Sequence, residues 1–394
     1  MERAQQVAIA KRILELYDQD GDDQGEFSWE ADIGRFTDKA RFELERQEFF
    51  LKRPQVIALT GDLPEIGDYY ATEIAGKPIL IVRGKDGVAR AFLNACRHRG
   101  VKLAENCGHA KGFTCPYHGW TYALDGALIS VPSRAAFDED QLATRGLIAL
   151  PTVEKIGMIL VHPQPEGEID FDAFFGEMQP LLADYNIANF RLVGEYRAPA
   201  RINWKHAVDG GLEGYHVPFL HPTTVGPNTL RQFLHLDFGL HQTLVSPTKQ
   251  ILDLKNIPEE EWPELLPFGL TNGIFPNTVV GGSKHVFFFQ RSEPGDEPGT
   301  CTYIFRTYGP HEGATDETRA TAQAFTDLLM KTALEEDMVV QSNAQIQMEA
   351  GAVPSIVFGK REVNLIRMHQ NHDRLIGHDN DAALGHTNMA VAAE

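Results

Sequence analysis

The sequence predicts an α+β fold: a small all-β domain, and a larger domain in which an antiparallel sheet carries long helices. Three observations lead there. Apolar residues in 1–45 (Val7, Ile9, Ile13, Leu14 and Tyr17) recur at mixed three-to-four spacing, the period of a helix. From about residue 50 to 160 the texture changes to short β-like runs punctuated by turn residues. Beyond residue 170, helical stretches alternate with strands.

Residues 1–45 are expected to be helical and to pack with the larger domain. In 46–165 the runs Gln55–Leu59, Pro78–Val82, Ala89–Leu93 and Met158–Val161 are predicted strands, separated by turns such as Gly84-Lys-Asp-Gly87 and Asp125-Gly126. Pro163-Gln-Pro165-Glu-Gly167 reads as the exit linker. In the second domain, 166–394, Val286–Gln290 and Thr302–Arg306 are predicted strands, and Thr315 to about Ala350 one long helix. No internal repeat stands out, and a polar tail follows about Gly377.

The 394 residues suffice for two domains. With 43% hydrophobic and 23% charged residues, the chain can bury a real core. Its four cysteines supply no disulfide framework, which points to a reducing compartment. The opening Met1-Glu-Arg-Ala-Gln-Gln has no apolar leader core, and no apolar run approaches membrane-spanning length, so a cytoplasmic location is expected. A net charge of −19 argues against binding nucleic acid or anionic membranes by bulk electrostatics.

Chemistry enters at Cys96-Arg-His98 and Cys115-Pro-Tyr-His118-Gly-Trp120. Two cysteines and two histidines arrive as two Cys/His pairs. That ligand set suits a zinc ion or an iron–sulfur cluster. Structural zinc sites more often use pairs of cysteines two to four residues apart. A [2Fe–2S] centre with thiolates on one iron and imidazoles on the other takes one Cys and one His from each of two loops, which is the Rieske arrangement. Gly100, Pro116 and Gly119 permit tight loop turns. Cys107 and Cys301 have no ligand spacing and read as ordinary thiols.

A second constellation runs Asn203-Trp-Lys205, Asp209, Glu213-Gly-Tyr-His216 and His221. Two histidines and a distant carboxylate can form a facial triad that leaves one face of iron(II) open. Glu213 stands three residues before His216, so a helix would place both on one face. Asp209 is a further candidate for a supporting carboxylate. In the acidic run Glu335-Glu336-Asp337, a straight helical wheel with Phe325, Leu329 and Val340 centres the apolar face on Glu336, with Asp337 nearer its edge. A kink or bulge would rotate that register.

Together these motifs resemble the oxygenase alpha subunits of the Rieske non-haem iron, aromatic ring-hydroxylating family, most strongly over 90–125 and 203–221. The resemblance implies a Rieske [2Fe-2S] domain held by Cys96, His98, Cys115 and His118. It also implies a helix-grip catalytic domain with mononuclear Fe(II) on His216, His221 and Asp337, with Glu213 bridging electron transfer. It implies a terminal oxygenase acting with O2 on an aromatic or other hydrophobic small molecule, or one that demethylates N- or O-methyl groups, quaternary ammonium compounds included. A Rieske electron carrier or ligand-binding protein is the reading from another class. A homotrimer is implied; a β-subunit stays open. No nucleotide-binding glycine motif occurs, so electrons are expected from a separate ferredoxin, an NAD(P)H-dependent flavin reductase, or both. Arg97, Arg99, Lys102 and Lys111 around the cluster loops are candidates to dock that donor. Phe219, Phe268, Phe275 and Phe287–Phe289 are candidate pocket aromatics, while His369, His372, His378 and His386 lie in a polar stretch and resemble no ligand set.

Overall fold

The computed structural model describes residues 1–283, 285–311 and 313–378, and the chain divides into two compact units. One comprises Arg46–Phe174 with Asn186–Leu192; the other comprises Met1–Glu45, Phe175–Tyr185 and the chain from Val193 onward.

The first unit is built of antiparallel β-structure. Its five-stranded sheet runs in the order Ala149–Leu150, Ala89–Leu93, Lys77–Arg83, Asp68–Ile74, Cys107–His109. A second sheet joins Thr152–Lys155, Met158–Val161 and Gln55–Leu59, and a third joins Phe113–Thr114, Thr121–Tyr122 and Leu128–Ser130. Ile79 to Val82 are fully buried, as expected of a continuous apolar run in the middle of a sheet. Arg83, on that strand, ties the first two sheets by donating from Nη2 to Glu154 Oε1 at 2.9 Å. Leu80, Val82, Phe92, Trp120 and Tyr122 pack in one core with Cys96 and Cys115. The unit runs on to Phe174, past the linker expected at 163–167. That stretch is tied back: Lys77 Nζ donates to the Pro163 carbonyl (3.2 Å) and the Gln164 N–H to His162 Nδ1 (3.1 Å).

The second unit centres on a seven-stranded sheet in the order Phe190–Ala200 (counted in this unit from Val193), Cys301–Pro310, Phe287–Pro294, Thr278–Gly282, Phe268–Ile274, His241–Pro247, Leu234–Phe238. Helices Trp204–Leu212, Met338–Glu349 and Val363–Leu375 contribute Val208, Leu212, Met348, Leu365 and Ile366 to a core that includes Val279 of the sheet. Helix Arg3–Asp18 buries Ile9, Ile13 and Leu16 with Leu234 and Val245. The helical reading of 1–45 fails in its middle. Asp20 turns to positive φ, the helix stops there, and Trp29–Asp32 pairs as a strand with Ser355–Phe358. The predicted long helix is present from Asp316, capped by Thr315, whose Oγ1 accepts from the Thr318 N–H at 3.2 Å. It is interrupted by a π-helical segment, Thr332–Asp337, before resuming as Met338–Glu349.

A buried polar layer joins the N-terminal segment to helices far along the chain. Glu45 and Lys205 form an ion pair with no solvent exposure on either side chain. Arg41 also reaches Glu45 (2.8 Å) and Asp373 (2.8 Å), and Arg35 reaches Asp373 at 2.7 Å. His369 and His372, read from sequence as part of a polar stretch, are instead fully buried. The helix Val363–Leu375 turns them into the core, where His369 Nε2 lies 3.1 Å from Asp209 Oδ1. Burial drives His369 well below its usual range and lifts Asp209 to about 7. His378 is exposed, and His386 lies outside the described residues. No helix among the described residues is long and apolar enough to cross a membrane.

Removing one partner of a buried ion pair strands the other. Glu45→Gln should therefore destabilise the second unit by about 3–5 kcal/mol in urea unfolding. Tryptophan fluorescence is a suitable probe, because Lys205 Nζ lies 4.8 Å from the Trp204 ring centroid. A loss under about 1 kcal/mol, the range of exposed pairs, would show that the pair does not hold these segments.

Candidate metal centres

In the first unit two loops repeat one backbone pattern. The Cys96 N–H donates to the Val101 carbonyl and the Gly100 N–H back to the Cys96 carbonyl; Cys115 does the same with Trp120 and Gly119. Gly100 (φ 78°) and Gly119 (φ 71°) sit in the left-handed region, which explains the glycine at the same offset in both loops. Cys96 and Cys115 are buried and not disulfide-bonded, and the rings of His98 and His118 lie 4.7 Å apart. His98 Nδ1 is buried and has no hydrogen-bond partner. An orphaned ring nitrogen on the same pair of loops as two buried thiols fits a bound cluster. Tyr122 Oη lies 3.4 Å from Cys96 Sγ and accepts from the Arg97 N–H at 2.9 Å. Burial and then Cys96 hold that phenol well above its usual range, so it remains a hydrogen-bond donor. Both cysteines point inward while His118 and its neighbour Tyr117 are exposed. Arg99, Lys102 and Lys111 are exposed around these loops, and Arg97 is half-buried.

In the second unit His216, His221 and Asp337 each offer one ligand atom, all within 4.8 Å of one another. Asp337 Oδ1 stands 3.7 Å from His216 Nε2 and 3.2 Å from His221 Nε2. Each histidine is held from behind by a carboxylate on Nδ1: Glu213 on His216, and Glu336 on His221 at 2.7 Å. A carboxylate can only accept there, so Nδ1 carries the proton and Nε2 presents a lone pair inward. Two such nitrogens and a carboxylate oxygen converging on one point fit a divalent metal with an open face.

The local chain explains these placements, with one correction. Helix Trp204–Leu212 ends before Glu213, which is extended (φ −131°, ψ 158°). Glu213 and His216 therefore meet across a turn rather than along a helix face. The Glu213 carboxylate closes that turn by accepting from the Tyr215 and His216 N–H groups. Gly210 leaves room for the Gln341 amide, which donates to the His206 carbonyl at 2.9 Å: a Cβ there would lie 2.4 Å from Gln341 Nε2. The π segment brings Glu336 and Asp337 to the same side, so the wheel's choice between them does not arise. Burial pulls His221 down, but Asp337 and Glu336 outweigh it and raise the imidazole above its ordinary range.

Glu213, His216, His221 and Asp337 open onto a cavity of about 520 Å³. Phe233, Phe268, Phe288, Phe305 and Phe325 line it with Tyr303, and no lysine or arginine does among the described residues. Phe288 stacks on Phe305 at 5.8 Å. Of the aromatics singled out in the sequence, Phe268 and Phe288 reach the cavity. Phe275, Phe287 and Phe289 are core, and Phe219 is 77% exposed. Asp209 is not among the lining residues and faces His369. Sequence reading missed Thr224, whose hydroxyl donates to Glu336 Oε2 at 2.7 Å; no local pattern marks it. Phe233, Phe305 and Tyr303 were also missed, because pocket and core aromatics look alike in a sequence.

The family profile for the Rieske [2Fe-2S] domain matches residues 53–153, and that for the ring-hydroxylating alpha subunit catalytic domain matches residues 187–378. The carnitine monooxygenase oxygenase subunit of Escherichia coli K12 is 31% identical over 231 residues, covering 57% of this chain and 61% of its own length. The glycine betaine monooxygenase oxygenase subunit of Chromohalobacter salexigens is 34% identical over 193 residues, covering 48% of this chain and 42% of its own. The matches thus span about half of the length of these relatives. A solved structure of the quaternary ammonium Rieske monooxygenase CntA with L-carnitine shares the fold (TM-score 0.75) at 20% identity, covering 90% of this chain and 97% of that one. With a cluster domain and a mononuclear iron domain in one polypeptide, the chain belongs to the Rieske non-haem iron oxygenases, as an alpha subunit of the ring-hydroxylating family.

Proposed function

We propose that this chain is the terminal oxygenase component of a multicomponent system, inserting oxygen from O2 into an aromatic or otherwise apolar small molecule. The observation that carries the reading is the convergence of His216, His221 and Asp337 at the edge of an apolar cavity. In this reading Cys96, His98, Cys115 and His118 hold the cluster, and His216, His221 and Asp337 hold the iron. The cluster supplies single electrons and the iron supplies activation of O2. The chain's own part is geometry. Glu213 and Glu336 fix the two imidazoles, and the phenylalanine wall, with Tyr303, excludes water and seats the substrate.

Electron delivery is assigned to a head-to-tail trimer, with Glu213 linking His216 to a cluster histidine of the neighbouring copy. Support comes from exposed aromatics at both ends of such a contact: Tyr215 and Phe219 beside His216, and Tyr117 beside His118. The donor is a separate ferredoxin or flavin reductase, docked through Arg99, Lys102 and Lys111, which are exposed cations on a chain of net charge −19. Charge reversal at Lys102 and Lys111 that leaves cluster reduction and its salt dependence unchanged would remove that role. A second reading, oxidation of a quaternary ammonium compound such as its N-demethylation, is favoured by the relatives named as carnitine and glycine betaine monooxygenase oxygenase subunits. It is also favoured by a cavity lined both by the stacked Phe288–Phe305 pair and by Glu213 and Asp337, because aromatic faces and anions both attract a cation.

Substrate-coupled oxygen uptake, measured with a donor system and a panel of neutral aromatics and methylated ammonium compounds, separates these readings. Hydroxylated aromatic product in step with O2 consumption is expected; formaldehyde released from the ammonium compounds supports the second reading instead. No coupled uptake with either class, in a chain whose cluster is reducible, would favour an electron carrier. Glu213→Gln should keep both metal centres and lower substrate-coupled turnover about 10- to 100-fold. Unchanged turnover would remove the bridging role.

A further inference from the structure

The two histidines of the proposed iron site are supported from very different places. Glu213 reaches His216 from three residues away, within the turn it closes. His221 takes its support from Glu336, 115 residues distant in sequence. Glu336 and Asp337 are consecutive, and they bracket the single His221 ring from its two ends. Glu336 Oε2 lies 2.7 Å from Nδ1, and Asp337 Oδ1 lies 3.2 Å from Nε2. A regular α-helix turns consecutive side chains about 100° apart, which follows from its 3.6 residues per turn. The π segment Thr332–Asp337 is where the helix departs from that geometry. Thr224, three residues past His221, donates its hydroxyl to the same Glu336 Oε2 at 2.7 Å. That second bond keeps the carboxylate from swinging away.

We propose that Glu336 is a positioning residue for the metal site. It locks His221 in the tautomer that offers Nε2 and clamps the His221–Thr224 loop to the helix that carries Asp337. The inference rests on the reading of His216, His221 and Asp337 as iron ligands. Without Glu336, Nδ1–H loses its acceptor and the ring is free to rotate, taking the Nε2 lone pair off the ligand point. The substitution would leave Asp337 in place, so the site should weaken rather than vanish.

The test uses the full-length chain with its cluster intact. Glu336→Gln and Glu336→Ala are titrated anaerobically with Fe(II), and separately with Co(II), whose visible bands report ligand geometry. Acid-labile sulfide and the reduced-cluster EPR signal certify the first unit, and a parental urea-unfolding midpoint read by far-UV circular dichroism certifies the second. Expected is a loss of Fe(II) affinity of about 10- to 100-fold in the alanine variant, with shifted Co(II) bands. The glutamine variant should lose less, because its side-chain oxygen can still accept from Nδ1–H and the Thr224 hydroxyl. If the alanine variant does not fold, the glutamine variant and Thr224→Val are read by the same titrations. Parental affinity and Co(II) bands in the Glu336 variants would overturn the inference alone. A parent chain that binds no metal beyond its cluster would overturn the iron-site reading, and this inference with it.

Discussion

Three carboxylates gathered around two imidazoles at the edge of an apolar cavity are electrostatically expensive, and much of the second unit is arranged around that cost. Glu213, Glu336 and Asp337 all lie partly buried, where like charges repel strongly and water screens them little. Two of them are quieted by donors. Glu213 takes two backbone N–H groups and the His216 ring, while Glu336 takes the His221 ring and the Thr224 hydroxyl. Burial raises Glu336, yet these bonds more than offset it and hold the carboxyl below its usual range. Asp337 faces the Nε2 edges of both rings, and a divalent cation there would satisfy its charge and both lone pairs at once.

That arrangement requires elements distant in sequence to hold still. The turn after Trp204–Leu212 supplies Glu213 and His216, and the interrupted helix supplies Glu336 and Asp337. Gln341 pins one to the other by donating to the His206 carbonyl at 2.9 Å. Behind them the layer of Glu45, Lys205, Arg41, Arg35 and Asp373 fixes the N-terminal segment to Trp204–Leu212 and to Val363–Leu375. Buried ion pairs contribute little net stability against well-packed apolar groups, but they leave few alternative arrangements once formed. Their place here, next to the helix that leads into Glu213, suits positional accuracy rather than strength.

Much of this was legible in the sequence wherever chemistry is local. The cluster loops announce themselves because their ligands sit on two short turns with a positive-φ glycine at a fixed offset. Strands such as Gln55–Leu59 and Ala89–Leu93 are bounded by turn residues and were read at their observed limits. His216 and His221 share one short segment. What depended on distance was hidden. A straight wheel could not anticipate that a π segment brings Glu336 and Asp337 to one side, so they read as rivals when they do different things to the same ring. His369 and His372 looked solvent-facing because Val363–Leu375 is rich in polar residues. Their burial depends on partners such as Asp209 and Trp204, which no neighbouring residue betrays.

The central claim is that one chain holds both a Rieske cluster and a separate mononuclear iron. Iron and acid-labile sulfide per chain, with an EPR spectrum after dithionite reduction, address it most directly. Expected are about three irons, about two sulfides and a Rieske signal. About two irons with the same signal, unchanged after anaerobic reconstitution with Fe(II), would contradict it and leave an electron carrier.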